Sequence, residues 1–246
     1  MAGHSKWAKL KHFKGALDAK KGKLFSKLAR EITIAVKQGG SGDPDLNPRL
    51  RMVLVKCKAA NLPSENIERA IKRGLGAGEA ANYEELTYEI FGPEGVGILV
   101  EASTDNRNRT SAEIRSIVSR HGGSMATQGS VGRLFERKGQ MIIPRDAADE
   151  DKLMELALEA GAEDFRAQPE GYEILTDPAN FEAVHKHLEA KGIKCAMAEI
   201  TEVPKITVPV TDPDKIAALN RLIEALEEHD DVKEVYSNAD FPEQSA

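Results

Sequence analysis

Lys6, Lys9, Lys11 and Lys14 recur at intervals of two or three residues, with Trp7, His12 and Phe13 set among them. Ammonium groups spaced this way neutralise a phosphate polymer without reading its sequence, and flat rings beside them stack on unpaired bases. Lys20, Lys21, Lys23, Lys27 and Arg30 carry the series into the following stretch. Residues 1–78 hold 17 Lys/Arg against 6 Asp/Glu, a formal +11, whereas residues 79–246 hold 17 against 34, a formal −17. The overall charge of −6 conceals this division. Cations gathered at one end of an acidic chain point to counterion release from a nucleic acid, either DNA or the RNA of a ribosome. The competing reading is a basic tail that folds back on the acidic part. Trp7 serves equally well as a staple between the arm and what lies behind it.

Arg107 and Arg109 form a second candidate within Thr104-Asp-Asn-Arg-Asn-Arg-Thr110. Here a strand should run into a helix N-terminus, where unpaired amides favour an anion. The plainer alternative is that Asp105, Asn106 and Asn108 are turn and cap residues, with the arginines paired to Glu101 or Glu113. Thr110-Ser-Ala-Glu113 has the spacing of a capping box. The loop His121-Gly-Gly-Ser-Met-Ala-Thr-Gln-Gly-Ser130 permits close backbone approach to a ligand, but also reads as a simple connection.

Enzyme signatures are absent from the sequence. No glycine loop ends in Gly-Lys-Ser/Thr, and Gly92, Gly95 and Gly97 lack the strand-to-helix setting of a dinucleotide site. His185 and His187 lie two apart on an expected helix and diverge, which makes them poor joint metal ligands. Cys57 and Cys195 have no histidine nearby in sequence and suit reduced, buried thiols. The acid run Glu227-Glu-His-Asp-Asp231 reads as a solvated helix end. Catalytic residues, cofactor and metal are all expected to be absent.

The elements that must position these residues follow from periodicity. Residues 1–16 lack an apolar period and read as a mobile arm. The pattern becomes helical from about Asp18: Leu17, Leu24, Phe25, Leu28, Ile32 and Val36 share one face, with Lys20, Lys23, Lys27 and Arg30 largely off it. Gln38-Gly-Gly ends that helix. Helices from about Asn47 and over Ser64–Arg73 follow, and Gly74–Gly78 reads as a linker. The period then becomes two. Strands at Leu86–Ile90 and Val96–Ala102 precede a helix stopped by Gly122-Gly123. Residues 134–204 read as strand, helix, two strands, helix and strand, the βαββαβ order of ferredoxin-like domains. A strand at Ile206–Val210, a helix at Asp212–Glu228 and a strand at Val232–Ser237 are expected to complete the sheet begun earlier. The expectation is thus an α+β multidomain chain. A basic helical domain (1–78) precedes an α+β domain (79–133 plus 205–240), into which a ferredoxin-like domain (134–204) is inserted. No apolar run is long enough for a membrane span, and the start, Met-Ala-Gly-His-Ser-Lys-Trp7, has no apolar stretch of the kind a secretory signal needs. It is basic and acid-poor, as a mitochondrial presequence is, but Gly22 and the dense lysines fit that reading badly.

Several separated segments resemble the YebC/TACO1 family. They are Gly3-His-Ser-Lys-Trp7, Asp18-Ala-Lys20, Asn47-Pro-Arg-Leu-Arg51, Asn66-Ile-Glu-Arg-Ala-Ile-Lys-Arg73, Tyr88-Glu-Ile-Phe-Gly-Pro93, Thr104–Thr110, Gly129-Ser-Val131, Leu158-Glu-Ala-Gly-Ala-Glu-Asp164 and Asp230-Asp-Val-Lys-Glu-Val-Tyr236. Phe13 and Ser111 depart from the pattern. The resemblance implies a helical N-terminal domain and two α+β domains, the third inserted in the second. It also implies a DNA-binding transcriptional regulator or, alternatively, a translation factor that contacts rRNA or tRNA on the ribosome and relieves stalling at proline runs. Ribosomal proteins are then further partners. A cytoplasmic, non-enzymatic regulator is the expectation on either reading.

Overall fold

In the computed structural model, residues 17–76 and 82–241 are described, with side chains from Gly22 onward. Three helices come first: α1 (Leu17–Gly39), α2 (Pro48–Ala59) and α3 (Ser64–Gly74). Leu28, Ile32, Ala35 and Val36 bury one face of α1 against Leu50, Val53 and Cys57 of α2 and Ala70 of α3. Two residues set how these helices meet. The Asn47 side chain accepts from the Leu50 N–H at 3.0 Å and so caps α2, while its amide donates to the Ala35 and Ser41 carbonyls, each at 2.9 Å. A Cβ on Gly74 would lie 2.6 Å from the Val36 Cβ, so only glycine lets α3 approach α1 this closely.

The remaining elements in chain order are β1 (Glu84–Phe91), β2 (Gly97–Thr104), α4 (Arg107–Arg120), β3 (Ser124–Met125), β4 (Phe135–Pro144) and α5 (Glu150–Glu159). Then come β5 (Asp164–Gln168), β6 (Gly171–Thr176), α6 (Phe181–Ala190), β7 (Met197–Pro204), β8 (Val208–Pro209), α7 (Pro213–Glu227), β9 (Val232–Ser237) and β10 (Ala239–Asp240). The fold is α+β. Among the described residues, two four-stranded sheets are antiparallel throughout, in the orders β3-β1-β2-β9 and β5-β6-β4-β7. The second order, with helices after its first and third strands, is the split arrangement expected of a βαββαβ chain.

Strand alternation sets what each face of the first sheet does. Ile90, Ile98, Val100 and Val235 pack on Ile114 and Val118 of α4 and Leu219, Leu222 and Leu226 of α7. The opposite face carries Glu85, Glu101 and Glu234, with Glu101 directly across from Glu234. In the second sheet, Met141, Ile143, Tyr172 and Ile174 pack on Leu153 of α5 and Phe181, Val184 and Leu188 of α6. One expectation fails here. The segment 206–210 does not join the first sheet; only Val208–Pro209 pairs, parallel to β10. The Val208 and Val210 N–H groups donate to the Asn238 and Asp240 carbonyls at 2.8 and 2.9 Å, whereas Pro209 between them has no N–H to offer a strand on its other side. No described helix is long and apolar enough to cross a membrane.

Candidate nucleic-acid interface

Lys6, Trp7, Lys9, Lys11, His12 and Lys14 lie outside the described residues, and Lys20 and Lys21 are described in backbone only, within α1. The rest of the cationic face of α1 is well defined, and it turns toward the acid run. Lys23, Lys27 and Arg30 are four and three residues apart, hence on one side of the helix. Lys27 Nζ donates to the Glu227 carbonyl at 2.6 Å and Lys23 Nζ to the Glu228 carbonyl at 3.3 Å. These are end carbonyls of α7, which lack helical partners and sit at the negative end of the helix dipole. Arg30 Nη1 reaches the Asp231 carboxylate at 2.8 Å and the carbonyls of Ser103 and Asp230 at 3.0 and 3.1 Å. The Arg30 guanidinium also lies 5.2 Å from the ring centre of Tyr83. Glu227–Asp231 is therefore a docking site for the basic bundle, not a solvated terminus.

Asp231 is the centre of this junction, with a side chain only 6% exposed. Besides Arg30 it accepts from Arg109 Nη2 at 2.8 Å and Thr110 Oγ1 at 2.7 Å. Burial alone would push its carboxyl up, but the Thr110 hydroxyl and the two guanidinium groups outweigh it and hold the pKa down at about 2. The Asp231 N–H donates to His229 Nδ1 at 3.1 Å, which leaves Nε2 to bond Glu113 at 2.9 Å. The ligand atoms of Glu113, His229 and Asp231 lie within 4.8 Å of one another. Both Asp231 oxygens are already taken by cationic and hydroxyl donors, so the cluster is neutralised from within.

The second candidate segment changes character in this setting. Asn106, not Thr110, caps α4: its side chain accepts from the Arg109 N–H at 3.1 Å. Thr110 is consequently inside the first turn and fully buried, and the expected capping box does not form. Asn106 precedes Thr110 by one turn and captures the helix start first. Arg107 pairs with Glu84 at 2.7 Å, and Arg109 with Asp105 and Asp231. Neither arginine meets Glu101 or Glu113. Arg107 keeps 66% of its side chain exposed and Arg109 44%.

The glycine-rich loop has a definite tether. Glu89 accepts from the N–H groups of Gly129, Val131 and Gly132 at 2.6, 2.6 and 2.9 Å. These bonds overcome the burial that would raise its pKa and hold the carboxyl below its usual range. Gly129 sits at φ +84°, which glycine adopts without strain. Glu89→Gln, with a single acceptor oxygen, should lower unfolding free energy by about 1–2 kcal/mol in urea titrations. A variant as stable as the parent would show that the tether does not matter.

Four further cations join the bundle to the rest of the chain. Arg49 pairs with Glu85 at 2.5 Å and Arg51 with Glu182 of α6 at 2.8 Å. Lys56 reaches Glu234 of β9 at 3.4 Å and Glu199 of β7 at 3.8 Å, so one ammonium group bridges both sheets. Burial opposes its charge, but Glu234, Glu31 and Glu199 together raise its pKa further than burial lowers it. Lys37 donates to Asn82 at 2.5 Å. The roles of Arg49, Arg51, Lys56, Glu89 and Asp231 are not legible in their local sequence. Only the bare carbonyls at the end of α7 offer a local sign of what docks there. Both thiols are pushed up by burial, Cys57 to about 11 and Cys195 to about 12, so neither is an activated nucleophile.

Comparison with known proteins matches this arrangement over nearly its whole length. The family description "TACO1/YebC protein N-terminal domain" fits residues 5–77, and "TACO1/YebC second and third domain" fits residues 83–239. A protein of Dictyoglomus thermophilum named "Probable transcriptional regulatory protein" is 54% identical, covering 99% of this chain and 98% of its own. A protein of the same name from Persephonella marina is 51% identical with the same coverage. The crystal structure of a conserved hypothetical protein from Aquifex aeolicus superposes with a TM-score of 0.83 at 44% identity, covering 93% of this chain and 94% of that one. With both family descriptions matched end to end and relatives above half identity, this chain belongs to the YebC/TACO1 family.

Proposed function

We propose that this protein is a non-enzymatic, nucleic-acid-binding regulator of gene expression acting on DNA in the cytoplasm. Full-length relatives carry the name of transcriptional regulators. The observation that carries the reading is the formal +11 of residues 1–78 in a chain of net −6. A division into a basic domain (1–78), an α+β domain (79–133 plus 205–240) and an inserted domain (134–204) gives that charge a unit of its own. Because the cations from Lys23 to Lys56 face the rest of the chain, Lys6, Lys9, Lys11 and Lys14 with Trp7 and His12 are the primary contacts. Arg107 and Arg109 retain exposed surface at a helix N-terminus and act as a secondary phosphate contact.

Reversing Lys6, Lys9, Lys11 and Lys14 to Glu in the full chain should weaken binding to a labelled mixed-sequence duplex by more than about tenfold and flatten its salt dependence. Unchanged affinity for both that duplex and purified ribosomes would overturn the reading. Crosslinking in cells with sequencing of the attached nucleic acid then separates the targets. Promoter DNA enrichment supports regulation of transcription; rRNA enrichment replaces it with a ribosome-bound translation factor, for which the acidic face of the other domains suits ribosomal proteins.

A further inference from the structure

Every cation of the bundle from Lys23 to Lys56 has a partner, most of them on the sheet domains. Among the described residues, the next four have none. Lys58, near the end of α2, and Arg69, Lys72 and Arg73 on α3 are all exposed, and none of these side chains meets another described residue through a hydrogen bond or ion pair. Glu65 and Glu68 stand four residues before Arg69 and Lys72 on the same helix, yet neither comes within ion-pair distance. The described acids nearest in sequence therefore do not pair with these charges.

Arg69, Lys72 and Arg73 occupy positions i, i+3 and i+4, so they share one face of α3 and span about 6 Å along its axis. That face is rigidly mounted. Ala70 is buried against α1, the Thr33 hydroxyl donates to the Ala70 carbonyl at 3.2 Å, and Gly74 lies flush on Val36. Lys72 and Arg73 also complement the negative end of the α3 dipole. This steadies the helix but leaves their charged heads in water.

We infer that the outer face of α3, carrying Arg69, Lys72 and Arg73, is a phosphate-backbone contact for nucleic acid, separate from the arm and from Arg107/Arg109. The inference rests on the nucleic-acid reading above and adds a rigid binding surface to it. Two guanidinium groups and an ammonium grip backbone phosphates without reading bases, so the face tolerates sequence.

The test uses the full chain with Arg69→Gln, Lys72→Gln and Arg73→Gln together, a labelled mixed-sequence duplex DNA and a labelled RNA hairpin. Affinity should fall on the order of tenfold for at least one probe, and the salt slope should become shallower by about one unit for each phosphate no longer neutralised. Thermal unfolding should change little, since the three side chains are exposed and their support of the α3 dipole is weak at a solvated helix end. A companion variant, Arg69→Lys, Lys72→Arg and Arg73→Lys, keeps the charge and should keep the slope. Full binding by the glutamine variant, while the arm reversal abolishes it, would overturn this inference and leave the proposed function standing. Full binding by both sets of variants would remove the proposed function itself. Equal losses in the glutamine and charge-preserving variants would assign the face a structural role instead.

Discussion

Asp231→Ala should cost about 3 kcal/mol of unfolding free energy at neutral pH, the scale for breaking a buried ion pair from one side. Three donors converge on this carboxylate: Arg30 from the basic bundle, and Arg109 and Thr110 from α4. Removing it leaves the buried Thr110 hydroxyl without that acceptor and brings two guanidinium groups together without their counter-charge. The pH dependence carries the same signature. The folded carboxyl has a pKa of about 2, below its ordinary 3.8, so its stabilisation is present above the ordinary value and lost as acid titrates the folded group. That part amounts to about 2 kcal/mol and should disappear between about pH 4 and pH 2. Glu85, held at about 2 by Arg49 and Lys233 in spite of its burial, adds a loss over the same window in both proteins. Urea titrations across this range should show the parent and the variant converging in acid. A constant gap, or a loss under about 1 kcal/mol at neutral pH, would remove Asp231 from its central place.

Lys56→Met should be nearly as damaging, at about 2–3 kcal/mol near pH 8, with the loss shrinking toward pH 5. Lys56 is surrounded by Glu31, Glu199 and Glu234, which meet there from α1, β7 and β9. Its own raised pKa means that its contribution is complete below the ordinary lysine value and lost only in strong alkali. The pH trend in the variant comes from the acids. Burial already raises Glu31, and Lys56 is the foremost influence lowering it again. Without that ammonium group the acid rises further. A group whose folded pKa is raised favours the fold at low pH and opposes it as the pH climbs through that value. Chemical denaturation at several pH values reads this directly, and a pH-independent loss would mean that methionine packing, not charge, decides the effect.

Local signals carry most of the architecture. The apolar face of α1, the Asn47 cap and the alternation in β1 are written in neighbouring residues, and so is the strand-helix order of residues 134–204. Features that depend on distant partners stay hidden. Thr110 has the spacing of a cap, but Asn106 reaches the free amides one turn earlier, and Thr110 instead meets a carboxylate 121 positions away. Glu227–Asp231 has the composition of a solvated terminus; only the docking of α1 makes it an acceptor. The +11 of the front segment follows from counts, and counts do not separate cations that face the sheets from those that face outward. Arg69, Lys72 and Arg73 lie in a segment that carries the family resemblance, whereas their lack of a partner among the described residues is visible only once the partners of the other cations are known.

The pairing of β9 with β2 has a consequence for synthesis. Residues 135–204 form a complete sheet from contiguous sequence and can mature as soon as they leave the ribosome. The sheet begun by β1 and β2 cannot: its outer strand is translated only after the whole of residues 135–204, so β2 waits with a bare edge, the kind of edge that invites association with other chains. Asp231 emerges equally late. Throughout elongation Arg30 lacks that counter-ion, and the nascent N-terminal helices present more positive charge to their surroundings than the finished protein does.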